Sequence, residues 1–151
     1  MKAIVYEKYG SPDVLHLTEV EKPIPTDDQI LIRIHAVSIN GSDREGLIGK
    51  PLYVRAGGLL KPGNKILGAD IAGQVEFAGK NNTEFQPGDE VFGEIPLYHG
   101  GFAEYVCTTG KTMTLKPVSL TFEQAAAIPQ AGVIASEGFA KTGEYNPAKR
   151  S

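Results

Sequence analysis

The feature that most constrains the fold is an alternating run at residues 29–39, QILIRIHAVSI. In an extended strand successive side chains point to opposite faces, so the even-numbered positions share one face. Those positions carry Ile30, Ile32, Ile34 and Ala36. We predict that this face forms a continuous strip of the hydrophobic core. The other face carries Arg33 and His35 among apolar neighbours. A central half-buried strand is therefore the first element of the predicted fold.

The rest of the chain consists of short apolar segments separated by turn residues. The 18 glycines and 10 prolines punctuate segments such as VLHLTEV, ILGADIAGQVEFAG, PGDEVFG and HGGFAEYVCTTG, which predicts five to seven short strands. Ser42 or Asp43 is placed to cap a short helix after the central strand. The pattern changes after residue 120, where Thr121 and Gln124 have the capping-box spacing before an alanine run that Pro129 ends. The prediction is a β body over residues 1–120 and a helical segment over 121–151.

Composition argues against several classes of function. A net charge of −3 and a pI of about 5.6 give no electrostatic basis for binding nucleic acid or an anionic membrane. The longest charge-free run, residues 124–136, falls short of the roughly 20 residues that span a bilayer. The N-terminus carries Lys2, Glu7 and Lys8 in place of an apolar signal segment, and the single Cys107 excludes an internal disulfide. We expect a cytoplasmic chain.

Five strings taken together resemble the N-terminal, GroES-like domain of the medium-chain dehydrogenase/reductase superfamily. They are EKPIPTDDQILIRIHAVSINGSD, LGADIAGQVEFAG, QPGDEVFG, GGFAEYV and FEQAAAIPQAGVIA, which follow one another in the family's order and at its spacings. The resemblance implies a mainly β fold, a GroES-like partly open β-barrel with short helices and a C-terminal helical extension.

The departures from the zinc alcohol dehydrogenases of that superfamily are informative. Asn40 stands where their cysteine ligand would be, and Ala69 and Asp70 replace the histidine and glutamate of their second zinc segment. Because zinc needs three or four ligands, the resemblance implies that the chain binds no zinc and no other metal. It is similar to the zinc-independent quinone oxidoreductase (zeta-crystallin-like) branch, which implies hydride transfer from NADP or NAD to a small-molecule quinone or conjugated carbonyl.

The resemblance also suggests the site residues. Asn40 and Ser42 would orient the acceptor, with Asp43 beside them, and Gln130 would contact the cofactor where relatives often have threonines. An apolar acceptor pocket would be lined by Tyr53, Tyr98, His99 and Phe102. Each residue has a structural alternative, such as helix capping for Ser42 and Asp43, a turn for Asn40 and core packing for the aromatic side chains.

The sequence carries no G-x-G-x-x-G segment between a strand and a helix. We therefore expect the Rossmann domain to be missing, the isolated chain to bind no cofactor, and turnover to require the complete enzyme. Two alternatives remain open at this point. The chain could be a stand-alone GroES-like binding or assembly module without redox activity, and exposed apolar surface could make it a homodimer.

Overall fold

The structure, a computed structural model of the chain, describes residues 1–142, without the side chains at 98 and 140–142. The strands are β1 (Lys2–Val5), β2 (His16–Glu19), β3 (Ile30–Val37), β4 (Asp70–Ala78), β5 (Glu90–Glu94), β6 (Tyr105–Thr108) and β7 (Met113–Leu115). The α-helices are α1 (Gly41–Ile48), α2 (Phe122–Ala126) and α3 (Pro129–Thr142). Single 3-10 helices span Pro12–Val14, Leu52–Gly57 and Pro96–Tyr98. Residues 143–151 of the predicted helical segment lie outside the described residues.

The strands form an open antiparallel sheet of five strands in the order β6-β3-β4-β5-β7, and a separate pair, β1 with β2. A bridge between Ala3 and Ala103 connects the pair to the chain before β6. Two register shifts interrupt the pairing of β3 with β4, and such irregularities bend a sheet. The predicted mainly β fold with short helices is confirmed. Among the described residues, none of the helices has the length and apolarity needed to cross a bilayer.

The central strand β3 is buried differently from the simple alternating prediction. Ile30 and Ile32 are fully buried, as expected, but Leu31 on the opposite face is also only 5% exposed. Farther along, Ile34 and Ala36 are half-buried. The first half of β3 is therefore covered on both faces, and the predicted continuous strip of core is fully buried only at Ile30 and Ile32.

Helix α1 begins two or three residues earlier than predicted, because its N-cap is Asn40 and neither Ser42 nor Asp43. Asn40 is extended, with φ −116° and ψ 171°, and its backbone N–H donates to Asp43 Oδ2 at 2.8 Å. The other oxygen of Asp43 accepts from the backbone N–H of Gly68 at 3.0 Å. Asp43 therefore satisfies the start of α1 and ties that helix to the chain just before β4.

Helix α2 begins as the sequence predicts. Thr121 caps α2, with the Gln124 N–H donating to Thr121 Oγ1 at 3.2 Å and the Thr121 N–H donating to Gln124 Oε1 at 3.0 Å. Helix α3 starts at Pro129, a first-turn position that tolerates proline. Its next residue, Gln130, donates its backbone N–H to Asp70 Oδ2 at 2.8 Å, which fixes α3 to the first residue of β4.

Asp70 is the most deeply buried charged residue in the described part of the chain, with no exposed surface. Burial raises the pKa of its carboxyl, and the Gln130 N–H and the Asn40 side-chain amide only partly oppose that rise. The Asn40 amide faces this carboxylate, although Oδ1 lacks a hydrogen-bond partner at normal distance. The ionised form of Asp70 is therefore incompletely compensated.

Replacing Asp43 by alanine should destabilise the fold, because two backbone N–H groups lose their acceptor. We expect the free energy of unfolding to fall by about 2–4 kcal/mol, measured by urea unfolding. Asp13→Ala is a matched control, since Asp13 is exposed and accepts from the Ser11 hydroxyl at 2.9 Å. Equal losses for the two variants would contradict the bridging role of Asp43.

Asp70 should make the protein less stable as pH rises. Since the pKa of Asp70 in the folded protein lies above 3.8, unfolding releases a proton at pH values between 3.8 and that raised pKa. The free energy of unfolding therefore falls as the pH increases through this range. Asp70→Asn removes this dependence, so the free energy of unfolding of the variant minus that of the wild type should increase from about pH 4 upward. Urea unfolding across pH measures it.

Glu7→Gln provides a control of opposite sign. The hydrogen bond and charge of Lys65 lower the pKa of Glu7 below 4.5, so wild-type stability rises as the pH increases between that lowered pKa and 4.5. The free energy of unfolding of Glu7→Gln minus that of the wild type should therefore decrease over this range. If the free energy of unfolding of Asp70→Asn minus that of the wild type stays constant or decreases as the pH rises, the raised pKa assigned to Asp70 is wrong.

Candidate functional site

The candidate site lies where the ends of five elements meet: the end of β3, the start of α1, the start of β4, the end of β5 and the start of α3. Ser42 and Gln130, 88 residues apart in sequence, come into contact there, with Ser42 Oγ 3.2 Å from both Oε1 and Nε2 of Gln130. Gln130 Nε2 also donates to Glu94 Oε1 at 3.2 Å. The result is a continuous polar row from helix α1 through α3 to the end of β5.

Two carboxylates on neighbouring strands hold Gln130 in this row. Asp70 and Glu94 are direct partners in the antiparallel register of β4 with β5, so their side chains leave the same face of the sheet. Asp70 accepts the backbone N–H of Gln130 and Glu94 accepts its side-chain N–H. Negative charge at a helix N-terminus is also favoured by the helix dipole.

Asn40 lies beside this row and is engaged by local partners. Its side-chain Nδ2 donates to Ser38 Oγ at 3.1 Å, and the same amide opposes the rise in the pKa of Asp70. Asp43 is only 3% exposed and binds backbone N–H groups. Burial raises the pKa of the Asp43 carboxyl, and its two backbone donors oppose that rise.

A cavity of about 410 Å³ opens next to Ser42. Its polar lining includes Ser42, Asn64 and His99, and Val54, Leu67 and Leu97 contribute apolar wall. A cavity with mostly apolar walls and a few polar groups suits a small organic ligand.

His99, like Asn64, borders three cavities, namely the cavity beside Ser42 and two others of about 540 and 300 Å³. Its Nδ1 is buried without a hydrogen-bond partner. Burial lowers the pKa of His99, which favours the neutral imidazole.

The other predicted pocket residues are placed differently from one another. Tyr53 lines the cavity beside Ser42, and its hydroxyl donates to Glu45 Oε2 at 3.4 Å. Phe102 packs instead on the buried cluster that contains Tyr6 and Leu67, and it does not border that cavity. The backbone of Tyr98 lies in the last 3-10 helix, and its side chain is not described.

Sequence reasoning missed Glu94 altogether and did not connect Asp70 with Gln130. No motif or fixed spacing in the sequence connects these residues. Asp70 and Glu94 become neighbours through strand register, and Gln130 reaches them through the start of α3. The detectable signal was a charged residue at the boundary of each of two apolar strands.

The residues near Asn40 do not fit a zinc site. The positions of the cysteine and histidine ligands carry Asn40 and the fully buried Ala69. Over residues 1–142, three or more His, Cys, Asp or Glu side chains are nowhere grouped so as to hold a metal ion. The described polar groups there are instead amides, hydroxyls and carboxylates, which suit hydrogen bonding to an organic ligand.

Comparison with known proteins gives consistent relatives. The chain is 38% identical over 151 residues to 2-methylene-furan-3-one reductase of Solanum lycopersicum, covering 95% of the chain and 38% of that protein. It is 38% identical over 131 residues to quinone oxidoreductase of Sus scrofa, covering 85% of the chain and 37% of that protein. The chain thus spans less than two fifths of the length of these relatives.

Solved structures with the same fold include quinone oxidoreductases. That of Coxiella burnetii superposes with a TM-score of 0.84 at 32% identity, over 93% of the chain and 44% of that protein. The Escherichia coli quinone oxidoreductase, solved in complex with NADPH, gives a TM-score of 0.80 at 25% identity, over 94% of the chain and 41% of that protein.

The sequence pattern of the alcohol dehydrogenase GroES-like domain matches residues 26–118, which include β3 to β7 and helix α1. This match covers most of the chain, and the relatives and the fold agree with it. The chain therefore belongs to the alcohol dehydrogenase GroES-like domain family.

Proposed function

We propose that this chain forms the acceptor-binding part of an NAD(P)H-dependent oxidoreductase that reduces quinones or conjugated enones. The observation that carries the proposal is the cavity of about 410 Å³, where the Ser42 hydroxyl and the His99 imidazole border an apolar wall. A flat conjugated carbonyl compound matches that chemistry, with its ring or alkene on the apolar wall and its oxygen at the polar side. The named reductase relatives support the same substrate class.

The domain assignment belongs to the same proposal. Residues 1–120 would form the substrate domain, and residues 121–151 would connect it to a dinucleotide-binding Rossmann domain. The described residues fit the nicotinamide end of such a cofactor. The Gln130 side-chain amide lies at the start of α3, and it would hold that end. When bound, the reduced nicotinamide supplies the hydride.

The residues of this chain then have separable roles. As a conjugated carbonyl accepts a hydride, negative charge develops on its oxygen, and a preorganised donor aimed at that oxygen lowers the barrier. Ser42 is suited to donate this hydrogen bond, because it borders the cavity and contacts Gln130 behind it. Neutral His99 would hold the acceptor without placing a charge against the apolar wall. Asn40 would position Ser42 through the start of α1.

Substituting Ser42 by alanine should lower kcat of the full-length protein by about 10- to 100-fold, because a donor used in the transition state is lost. The measurement is NADPH oxidation with a fully substituted quinone, which cannot alkylate Cys107. Ser136→Ala is the matched control, since Ser136 is exposed on α3 and donates to the Val133 carbonyl at 2.9 Å. Its kcat should equal that of the wild type.

Two outcomes would count against the proposal. Equal activity of Ser42→Ala and wild type would remove Ser42 from the reaction. Absence of NADPH oxidation with quinones and enones, together with a ring-sized assembly in light scattering, would favour the stand-alone assembly module.

A further inference from the structure

We propose that Glu94 is a positioning residue, which holds the Gln130 side chain against Ser42 so that the Ser42 hydroxyl can turn into the cavity without losing its hydrogen bond. The kinetic part of this inference rests on the proposed function, whereas the structural part does not. Glu94 lies outside the cavity beside Ser42 and would act only through Gln130.

Glu94 is well placed to fix the Gln130 amide. It is the last residue of β5, it is half-buried, and its Oε1 lies 3.2 Å from Gln130 Nε2. An ionised carboxylate can only accept hydrogen bonds, so the nitrogen end of the amide must face it. A hydrogen bond to an ionised acceptor is about twice as strong as a neutral one.

The anchored amide leaves one N–H and one carbonyl oxygen beside Ser42. Gln130 Nε2 carries two hydrogens and donates one of them in a hydrogen bond to Glu94. Both Nε2 and Oε1 lie 3.2 Å from Ser42 Oγ. The hydroxyl can therefore donate to Oε1 or accept from Nε2. A hydroxyl rotates readily between such partners.

This double contact is what makes the arrangement suited to catalysis. In the free site Ser42 donates to Gln130 Oε1. When a carbonyl oxygen enters the cavity, the hydroxyl hydrogen turns toward it and Ser42 Oγ accepts from Gln130 Nε2. Ser42 Oγ stays hydrogen-bonded throughout this exchange. Donating its hydrogen to the acceptor therefore costs less free energy than breaking an unreplaced hydrogen bond would.

The backbone supports the same geometry independently. Asp70, the cross-strand partner of Glu94, accepts the Gln130 backbone N–H at 2.8 Å. Gln130 is thus held at its backbone by one carboxylate and at its side chain by the other. Loss of Glu94 would leave the backbone in place and free only the amide.

The kinetic test is a double-mutant cycle in the full-length protein. Glu94→Ala should lower kcat about tenfold with little change in KM, since Glu94 acts only on the positioned donor. Glu94→Gln keeps a neutral acceptor and should lie between Glu94→Ala and the wild type. In the Ser42→Ala background, Glu94→Ala should change kcat by less than about twofold. The matched control is Glu84→Ala, an exposed loop residue, which should have wild-type kcat.

The outcomes separate a positioning role from a structural one. Equal losses from Glu94→Ala with and without Ser42 would overturn the proposal, because a general structural defect acts in both backgrounds. A loss confined to KM would overturn it as well.

A second measurement uses the 151-residue chain and does not depend on turnover. In ¹⁵N-labelled protein, Glu94→Ala should shift the two side-chain N–H signals of Gln130 and the backbone signal of Ser42, with Glu94→Gln intermediate and Glu84→Ala unchanged. Unshifted Gln130 side-chain signals in a folded Glu94→Ala spectrum would refute the anchoring. If the full-length protein lacks reductase activity while these shifts occur, the proposed function fails and the anchoring stands.

Discussion

The buried Asp70 carboxylate accepts a hydrogen bond from the backbone N–H of Gln130, and this bond joins the β body to its C-terminal helix. One hydrogen bond of 2.8 Å spans 60 residues of sequence, and it sets where α3 begins relative to β4. Because Glu94 lies opposite Asp70 in the register, the same strand pairing also presents the acceptor for the Gln130 side chain. The position of the polar row beside Ser42 is therefore a consequence of sheet register and one helix start.

Burial of two carboxyl groups at this site opposes their ionisation. Burial raises the pKa of both Asp43 and Asp70, which means that the folded state disfavours their ionised forms. Asp43 has two backbone donors, so its structural role at the start of α1 accounts for its presence. Asp70 keeps one oxygen without a partner. A buried polar atom without a partner needs an explanation, and functional sites are one place where such atoms occur.

Local patterns in the sequence predicted much of the fold, and long-range pairing limited the rest. The alternation at residues 30–36 and the capping-box spacing of Thr121 and Gln124 depend on neighbours within a few residues, and the corresponding strand and helix are present. The burial of Leu31 depends on what covers the second face of β3, which no local pattern encodes. The cap of α1 was misplaced because Asn40 precedes Ser42 and Asp43 by so little that all three fit the capping preference. The site showed the same limit, since Ser42 and Gln130 were predicted separately and Glu94 joined them only through strand register.

Counting hydrogen-bond donors distinguishes the two candidate groups at the start of α1. The Asn40 amide has two N–H donors; one goes to Ser38 Oγ, and the amide also faces the Asp70 carboxylate. Its donor capacity is therefore directed into the protein. Ser42 has a single hydrogen, but Gln130 offers Oγ both an acceptor and a donor. A hydroxyl with both partners can release its hydrogen to a ligand and remain hydrogen-bonded, whereas the Asn40 amide is turned toward Ser38 and Asp70. Donor capacity thus favours Ser42 as the group that contacts the acceptor, and Asn40 as the residue that fixes where Ser42 stands.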